Sequence, residues 1–182
     1  MVAYVIIPGI NGSDQQHWQS LWEQRWDTSA VRIAPASWSA PDLDDWVSAV
    51  QSAYDIASGR DSRVFLVAHS LGCWAASAWL SKIRPDHLGG ALLVAPPDLQ
   101  GPAFPRAAAP TFTELSAEPL PCPAILVGSS DDPYCDEDKA AALAAQWRAR
   151  WHPAGACGHI NSASGLGAWP LGQELLGSLT ES

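Results

Sequence analysis

Short apolar runs alternate along the chain with longer segments in which apolar residues return every three or four positions. "AYVIIPG" (3–9), "AVRIAPA" (30–36), "RVFLVAH" (63–69), "GGALLVAPP" (89–97), "CPAILVGSS" (122–130) and "RWHPA" (150–154) read as strands. Between them, "DQQHWQSLWEQRW" (14–26) reads as a helix opened by Ser13 or Asp14 as N-cap. "APDLDDWVSAVQSAYDIA" (40–57) is a second helix, with Pro41 near its first turn and carboxylates at its positive end. "LGCWAASAWLSKI" (71–83), "DEDKAAALAAQWRAR" (136–150) and 165–178 complete the helical set.

The strands are apolar throughout instead of alternating with polar positions, which signals burial on both faces and therefore parallel strands covered by helices. Repeated β–α units of this kind predict an α/β fold: a three-layer, doubly wound, mostly parallel sheet of about six strands. Residues 1–182 are expected to form a single domain of the size that buries about 70% of its unfolded surface. One segment breaks the rhythm. Residues 96–121, "PPDLQGPAFPRAAAPTFTELSAEPLP", are rich in proline and lack periodicity, so they read as a lid or a plain surface connection, too short for a separate domain.

Composition narrows the function classes. The net charge of −9, from 10 Lys and Arg against 19 Asp and Glu, argues against nucleic acid or an anionic membrane as partner, because both require a basic face. The 4 cysteines (Cys73, Cys122, Cys135, Cys157) have neither C-x-x-C spacing nor disulfide-scaffold density, which favours reduced thiols. "MVAYVIIPGING" has no basic region, and its apolar run is too short for a signal peptide or a membrane span. A soluble cytoplasmic protein is the expectation. There are 10 tryptophans; Trp18, Trp22 and Trp26 recur at four-residue spacing, so they share a helix face and are expected to fill core volume against the sheet.

In an open parallel α/β sheet, ligands lie beyond the carboxyl ends of the strands, so each candidate residue is judged by whether it comes just after a strand. Ser70 does, inside "VAHSLG", one residue away from G-x-S-x-G, where a sharp strand-to-helix turn projects a hydroxyl. The competing reading is that Ser70 only caps the helix. Gly72 meets the demand for small residues at such a turn, and Ala68 adds one methyl where the motif has glycine. A serine needs a base and an orienting acid. His159, in "ACGHIN", and Asp132, in "GSSDDPY", come after later strands at the same sheet edge, in the chain order Ser–Asp–His of α/β-hydrolases. Asp131 and Asp98 are the alternative acids. His69, His87 and His152 are expected to be structural, and the role of His17, whether or not it braces the first loop, is open.

An oxyanion hole requires two backbone N–H donors. Leu71, directly after the serine, supplies one; Ile10 or Asn11, in the loop "PGINGSDQQHW" with Gly9 and Gly12, supplies the other. Trp169 is a candidate wall of the substrate pocket. Phosphate-loop spacing and metal-ligand motifs are absent from the sequence, so no cofactor and no metal are expected. Cys135 and Cys157 are expected to pack, since neither has an adjacent base.

Taken together, "PGINGSDQQHWQSLWE", "VAHSLG", "GSSDDPY" and "CGHIN" with "SGLGAWPLG" resemble the small α/β-hydrolase serine hydrolases typified by retinoblastoma-binding protein 9 and the bacterial YdeN proteins. The resemblance spans nearly the whole chain. It implies a minimal α/β-hydrolase fold without a large lid, a triad of Ser70, Asp132 and His159, and, for the acid, the second aspartate of "SDDPY". Many relatives have glycine where Ala68 stands. The function expected is hydrolysis of a small carboxylic ester, thioester or amide through an acyl-enzyme on Ser70; the alternative is a catalytically weak or inactive hydrolase fold that serves as a protein-binding module. Transfer of the acyl group to an acceptor other than water is indistinguishable at this level, and the residues do not specify an oligomeric state, a monomer being compatible with them.

Overall fold

The structure, a computed structural model, describes residues 1–181. The chain runs β1 (Ala3–Ile7), α1 (Trp18–Trp26), β2 (Ala30–Arg32), α2 (Leu43–Arg60), β3 (Val64–His69) and α3 (Leu71–Lys82). It continues through β4 (Leu88–Val94), β5 (Ala124–Gly128), α4 (Glu137–Trp147), β6 (Arg150–Pro153) and α5 (Pro170–Thr180). The six strands form one sheet in the order β2-β1-β3-β4-β5-β6, with every neighbouring pair parallel.

Apolar residues occupy both sides of the central strands because both sides are covered. Val5, Ile7, Leu66, Ala68, Leu93 and Leu126 face the layer built by α2, α3 and α4. Their alternates Ile6, Phe65, Val67, Leu92, Val94 and Ile125 face α1 and α5. Complete burial of a large apolar side chain contributes about 1.5–3 kcal/mol, so the continuous apolar runs give each strand two stabilising faces. Helix α3 is buried from Leu71 to Leu80. A helix apolar all round needs neighbours all round, and the sheet, α2 and the 96–121 segment provide them.

The tryptophans fill core volume as their spacing implies. Trp18 and Trp22 are fully buried between α1 and the sheet, while half-buried Trp26 stacks on Tyr4 at a centroid distance of 3.9 Å. Their indole N–H groups also make polar contacts: Trp18 Nε1 donates to the Ile160 carbonyl at 2.9 Å and Trp22 Nε1 to the Ala168 carbonyl. The 96–121 segment is a packed connection that buries Phe104, Ala109 and Phe112.

Several element ends differ from expectation. Helix α1 begins at Trp18, with His17 as N-cap, instead of Ser13 or Asp14. The Asp14 carboxylate instead accepts the Gln16 and His17 N–H groups, closing a separate turn one step earlier. The last helix begins at Pro170, because residues before it form a short 3-10 turn (Ser162–Ser164) and left-handed positions at Gly165, Gly167 and Trp169. Strand β2 stops at Arg32, so it pairs with β1 over three residues only.

Candidate active site

Strand order reverses between β1 and β3, and the loops leaving those two strands open a crevice at the carboxyl edge of the sheet. Ser70 sits there, directly after β3, with φ 53° and ψ −127°. A left-handed φ is costly for a residue with a Cβ and persists only where its surroundings hold it. Here the hold is visible: Ser70 N–H donates to the Val94 carbonyl at 2.9 Å while α3 starts at the next residue. Room for the turn comes from glycine. A Cβ on Gly72 would collide with the carbonyl oxygens of Ile7 and Pro8, and one on Gly9 would lie 2.8 Å from Ser70 Cβ. Ala68 carries its methyl without difficulty, buried in β3 opposite Ile7 and Leu93.

The Ser70 side chain makes no capping hydrogen bond to α3. Its Oγ lies 2.8 Å from His159 Nε2, and His159 Nδ1 lies 2.9 and 3.0 Å from the two oxygens of Asp132. Hydroxyl, imidazole and carboxylate are thus connected end to end. Asp132 is buried and accepts the Tyr134 N–H through Oδ1, which fixes its carboxylate. Tyr134 packs its ring on the imidazole, with centroids 4.6 Å apart.

The two other carboxylates considered from sequence face elsewhere. Asp98 Oδ1 accepts the Gln100 N–H, and Asp98 N–H donates to the Tyr134 carbonyl. Asp131 turns to the loop that carries the histidine: its Oδ1 accepts the Gly158 N–H at 2.7 Å and the Ser129 hydroxyl at 2.7 Å. Ser129 Oγ in turn accepts the Cys157 N–H at 2.9 Å. These donors, Ser129 foremost, hold the exposed Asp131 carboxyl below the usual carboxylate range. From the other side, Trp18 grips the Ile160 carbonyl, and His69 Nε2 donates to the carbonyl of His159 itself at 2.9 Å. His159 is therefore clamped by neighbours on both flanks. Sequence reasoning missed this clamp, although the "SSDD" run and the tryptophan at the start of α1 were both visible.

Of the loop donors, Leu71 N–H opens α3 and so has no intrahelical acceptor. Asn11 N–H is engaged with the Trp38 carbonyl at 2.9 Å, which removes Asn11 as an oxyanion donor. Ile10 N–H has no acceptor among the described residues, and both Ile10 and Leu71 line the crevice. Buried Gln19, also unmarked from sequence, spans the ends of β1 and β3 by donating from Nε2 to the carbonyls of Ile7 and Val67. Trp169 does not reach the crevice. It is 4% exposed and packs between Trp18 and Trp22, because α5 closes onto α1.

The crevice has a volume of about 510 Å³, within the range of small-molecule sites. Ile10, Leu71, Pro97, Ala103, Phe104 and Pro105 give it apolar walls, so the proline-rich segment contributes one side. Asp14 is the one carboxylate on the lining, and no Lys or Arg lies there among the described residues. Its Oδ1 accepts the Ser162 hydroxyl at 2.7 Å, and this bond first among others holds its pKa below the usual range. Burial holds His17 down at about 4 and places His69 well below the ordinary histidine value, so both rings are neutral near pH 7. Burial likewise pushes the Cys135 and Cys122 thiols up to about 12, and Cys73 further, which leaves these sulfurs protonated and poorly nucleophilic. His87 and His152 lie outside the crevice. No helix among the described residues is long and apolar enough to cross a membrane.

The profile of the Serine hydrolase family matches residues 4–178. The chain is similar to the structure of a YdeN-like hydrolase from Pectobacterium atrosepticum, with 31% identity and a TM-score of 0.84 over 100% of this chain and 91% of that one. It is also similar to the ydeN gene product of Bacillus subtilis, with 23% identity and a TM-score of 0.72 over 100% and 99%. An esterase from Thermogutta terrifontis shares the fold at 16% identity, with a TM-score of 0.68 over 100% and 90%. No curated protein sequence matches significantly. A parallel α/β sheet with a serine on the turn after β3, and a family profile that runs through every strand and the last helix, make this chain an enzyme belonging to the Serine hydrolase family.

Proposed function

We propose that the enzyme hydrolyses small carboxylic esters, thioesters or amides through an acyl-enzyme on Ser70. The observation that carries this reading is the unbroken chain Ser70 Oγ–His159 Nε2 at 2.8 Å and His159 Nδ1–Asp132 Oδ2 at 2.9 Å, whose serine and histidine line the crevice. His159 Nε2 takes the hydroxyl proton as Oγ bonds to the substrate carbonyl carbon, and the carbonyl π pair moves onto oxygen. Asp132 accepts from Nδ1–H, which keeps the Nε2 lone pair toward the serine and stabilises the imidazolium. The N–H groups of Leu71 and Ile10 hold the oxyanion. Collapse of the tetrahedral adduct expels the alcohol, thiol or amine, which leaves with the proton from His159. Water activated by the same ring then releases the acid. The Asp14 carboxylate on the lining, with no Lys or Arg there among the described residues, favours uncharged acyl and leaving groups over anionic ones.

A fluorophosphonate probe tests the reading directly. The native protein is expected to be labelled and Ser70→Ala to resist labelling, with p-nitrophenyl ester turnover lost in the same variant. Equal labelling of both proteins, or ester turnover independent of Ser70, would sink it. Retained affinity for a cellular protein alongside an inert Ser70 would instead favour a binding module.

A further inference from the structure

The crevice draws its lining from loops of different chemistry. The segment after β4 supplies Pro97, Phe104 and Pro105, while the loop after β1 and the loop that carries His159 supply Asn11, Asp14 and Ser162. Asn11 and Asp14 are exposed and line the same space as Ser70, so both are open to a molecule that occupies it.

Asp14 is held both in place and in its ionised form. Its Oδ1 accepts the Ser162 hydroxyl at 2.7 Å, the Gln16 N–H at 2.9 Å and the His17 N–H at 3.1 Å. These bonds, the one from Ser162 foremost, stabilise the carboxylate and tie the first loop to the histidine loop. Oδ2 accepts no hydrogen bond among the described residues. The charge also has no counterion, for Asp14 forms no ion pair among the described residues. Arg32, which shares a neighbouring surface hollow with Asp14, is paired with Glu23 at 2.6 Å. His17 is neutral at pH 7, because burial lowers it to about 4. Tyr134, on the same lining, is 37% exposed, and an aromatic face adds to the attraction for a cation.

We propose that the crevice selects substrates carrying an alkylammonium group, with Asp14 as the residue that sets this preference. The inference rests on the hydrolytic reading of Ser70. The Asp14 carboxylate and the Asn11 amide oxygen are acceptors for an ammonium N–H; a neutral alkyl group offers neither charge nor donor, and an anionic one is repelled. A quaternary ammonium keeps the Coulomb attraction, which acts over several Å and does not require contact. The cation can belong to the acyl group or to the alcohol, and the two sources are separated by experiment.

The test compares isosteric ester pairs by pH-stat titration: methyl 6-aminohexanoate against methyl heptanoate for a cation on the acyl side, and butyrylcholine against 3,3-dimethylbutyl butyrate for one on the alcohol side. In the wild type at about 10 mM ionic strength, the cationic member of at least one pair is expected to show a kcat/KM about fivefold higher or more. Raising NaCl to about 0.5 M should shrink that ratio to about twofold or less. Asp14→Asn keeps an oxygen for the three donors but removes the charge, and should bring the ratio to within about twofold of unity at either salt concentration. Ser162→Ala removes one of the three donors and leaves the charge, and should keep the ratio above about threefold at low salt. Equal kcat/KM within both pairs in the wild type, a ratio unmoved by Asp14→Asn, or the same collapse in Ser162→Ala overturns the proposal. Calorimetric titration of Ser70→Ala with the same four esters reads the preference without turnover. Equal affinity within each pair, or none for any ester, again overturns it, whereas tighter binding of a cationic member by a protein whose wild type hydrolyses none of them overturns the hydrolytic reading alone.

Discussion

Replacing Gly9 with alanine adds one methyl at the point where the first loop approaches the nucleophile. The new Cβ would lie 2.8 Å from Ser70 Cβ and 3.2 Å from Ser70 Oγ. Carbon atoms in contact settle at about 3.5–4.0 Å, so the loop or the serine must withdraw by about 0.7–1.2 Å. The backbone is no obstacle, since Gly9 is not among the positive-φ residues. Strain is therefore purely steric, and overpacking of this kind costs about 1–3 kcal/mol. With Ile10 in its proposed role as oxyanion donor, withdrawal of the loop carries that N–H away from the oxyanion, and loss of one such donor lowers kcat by about 10²–10³-fold. The assay is ester hydrolysis with kcat and KM measured separately, alongside thermal unfolding and fluorophosphonate labelling. The expected result is a kcat reduced about a hundredfold or more, with a KM changed far less and a protein that remains folded at the assay temperature. A Gly9→Ala enzyme with kcat within about threefold of the wild type would refute the steric argument and the donor role of Ile10 together.

The same geometry sets three further outcomes. Asp132→Ala should reduce kcat by about 10³–10⁴-fold, whereas Asp131→Ala, which frees the Gly158 N–H and the Ser129 hydroxyl, should reduce it only about tenfold; equal losses would place the acid wrongly. His17 binds a proton near pH 6.5 when unfolded but only at about 4 when folded, so between those values the unfolded state holds more protons. Its contribution is therefore unpenalised above pH 6.5 and turns against folding as pH falls toward 4, by at most about 3 kcal/mol; urea midpoints should rise with pH across this window, and less steeply in His17→Asn. Trp18→Phe leaves the Ile160 carbonyl without its indole donor and should cost about 1–3 kcal/mol in urea unfolding, and a loss below about 0.5 kcal/mol would show that the bond contributes nothing.

The layered α/β architecture was legible because strand burial on two faces writes itself as unbroken apolar runs, and because β–α alternation leaves one economical topology. Ser70, Asp132 and His159 could be located for a related reason: the carboxyl edge of a parallel sheet gathers the loops that leave its strands, so order along the chain already implies proximity. Adjacent residues were harder. Asp131 and Asp132 share a local sequence, and only the placement of the Cys157–Gly158 backbone decides that one carboxylate meets a peptide N–H and the other an imidazole. Trp169 and Asn11 differ from expectation on the same ground, since the packing of α5 on α1 and the approach of Trp38 are contacts between distant segments. The packing of His17 against His69 belongs here as well, for the two rings come from two different strand–helix junctions. Periodicity and turn chemistry, which act between near neighbours, are thus determined by the sequence itself; hydrogen bonds and ring contacts between remote segments depend on how the layers close, and only the tertiary structure decides them.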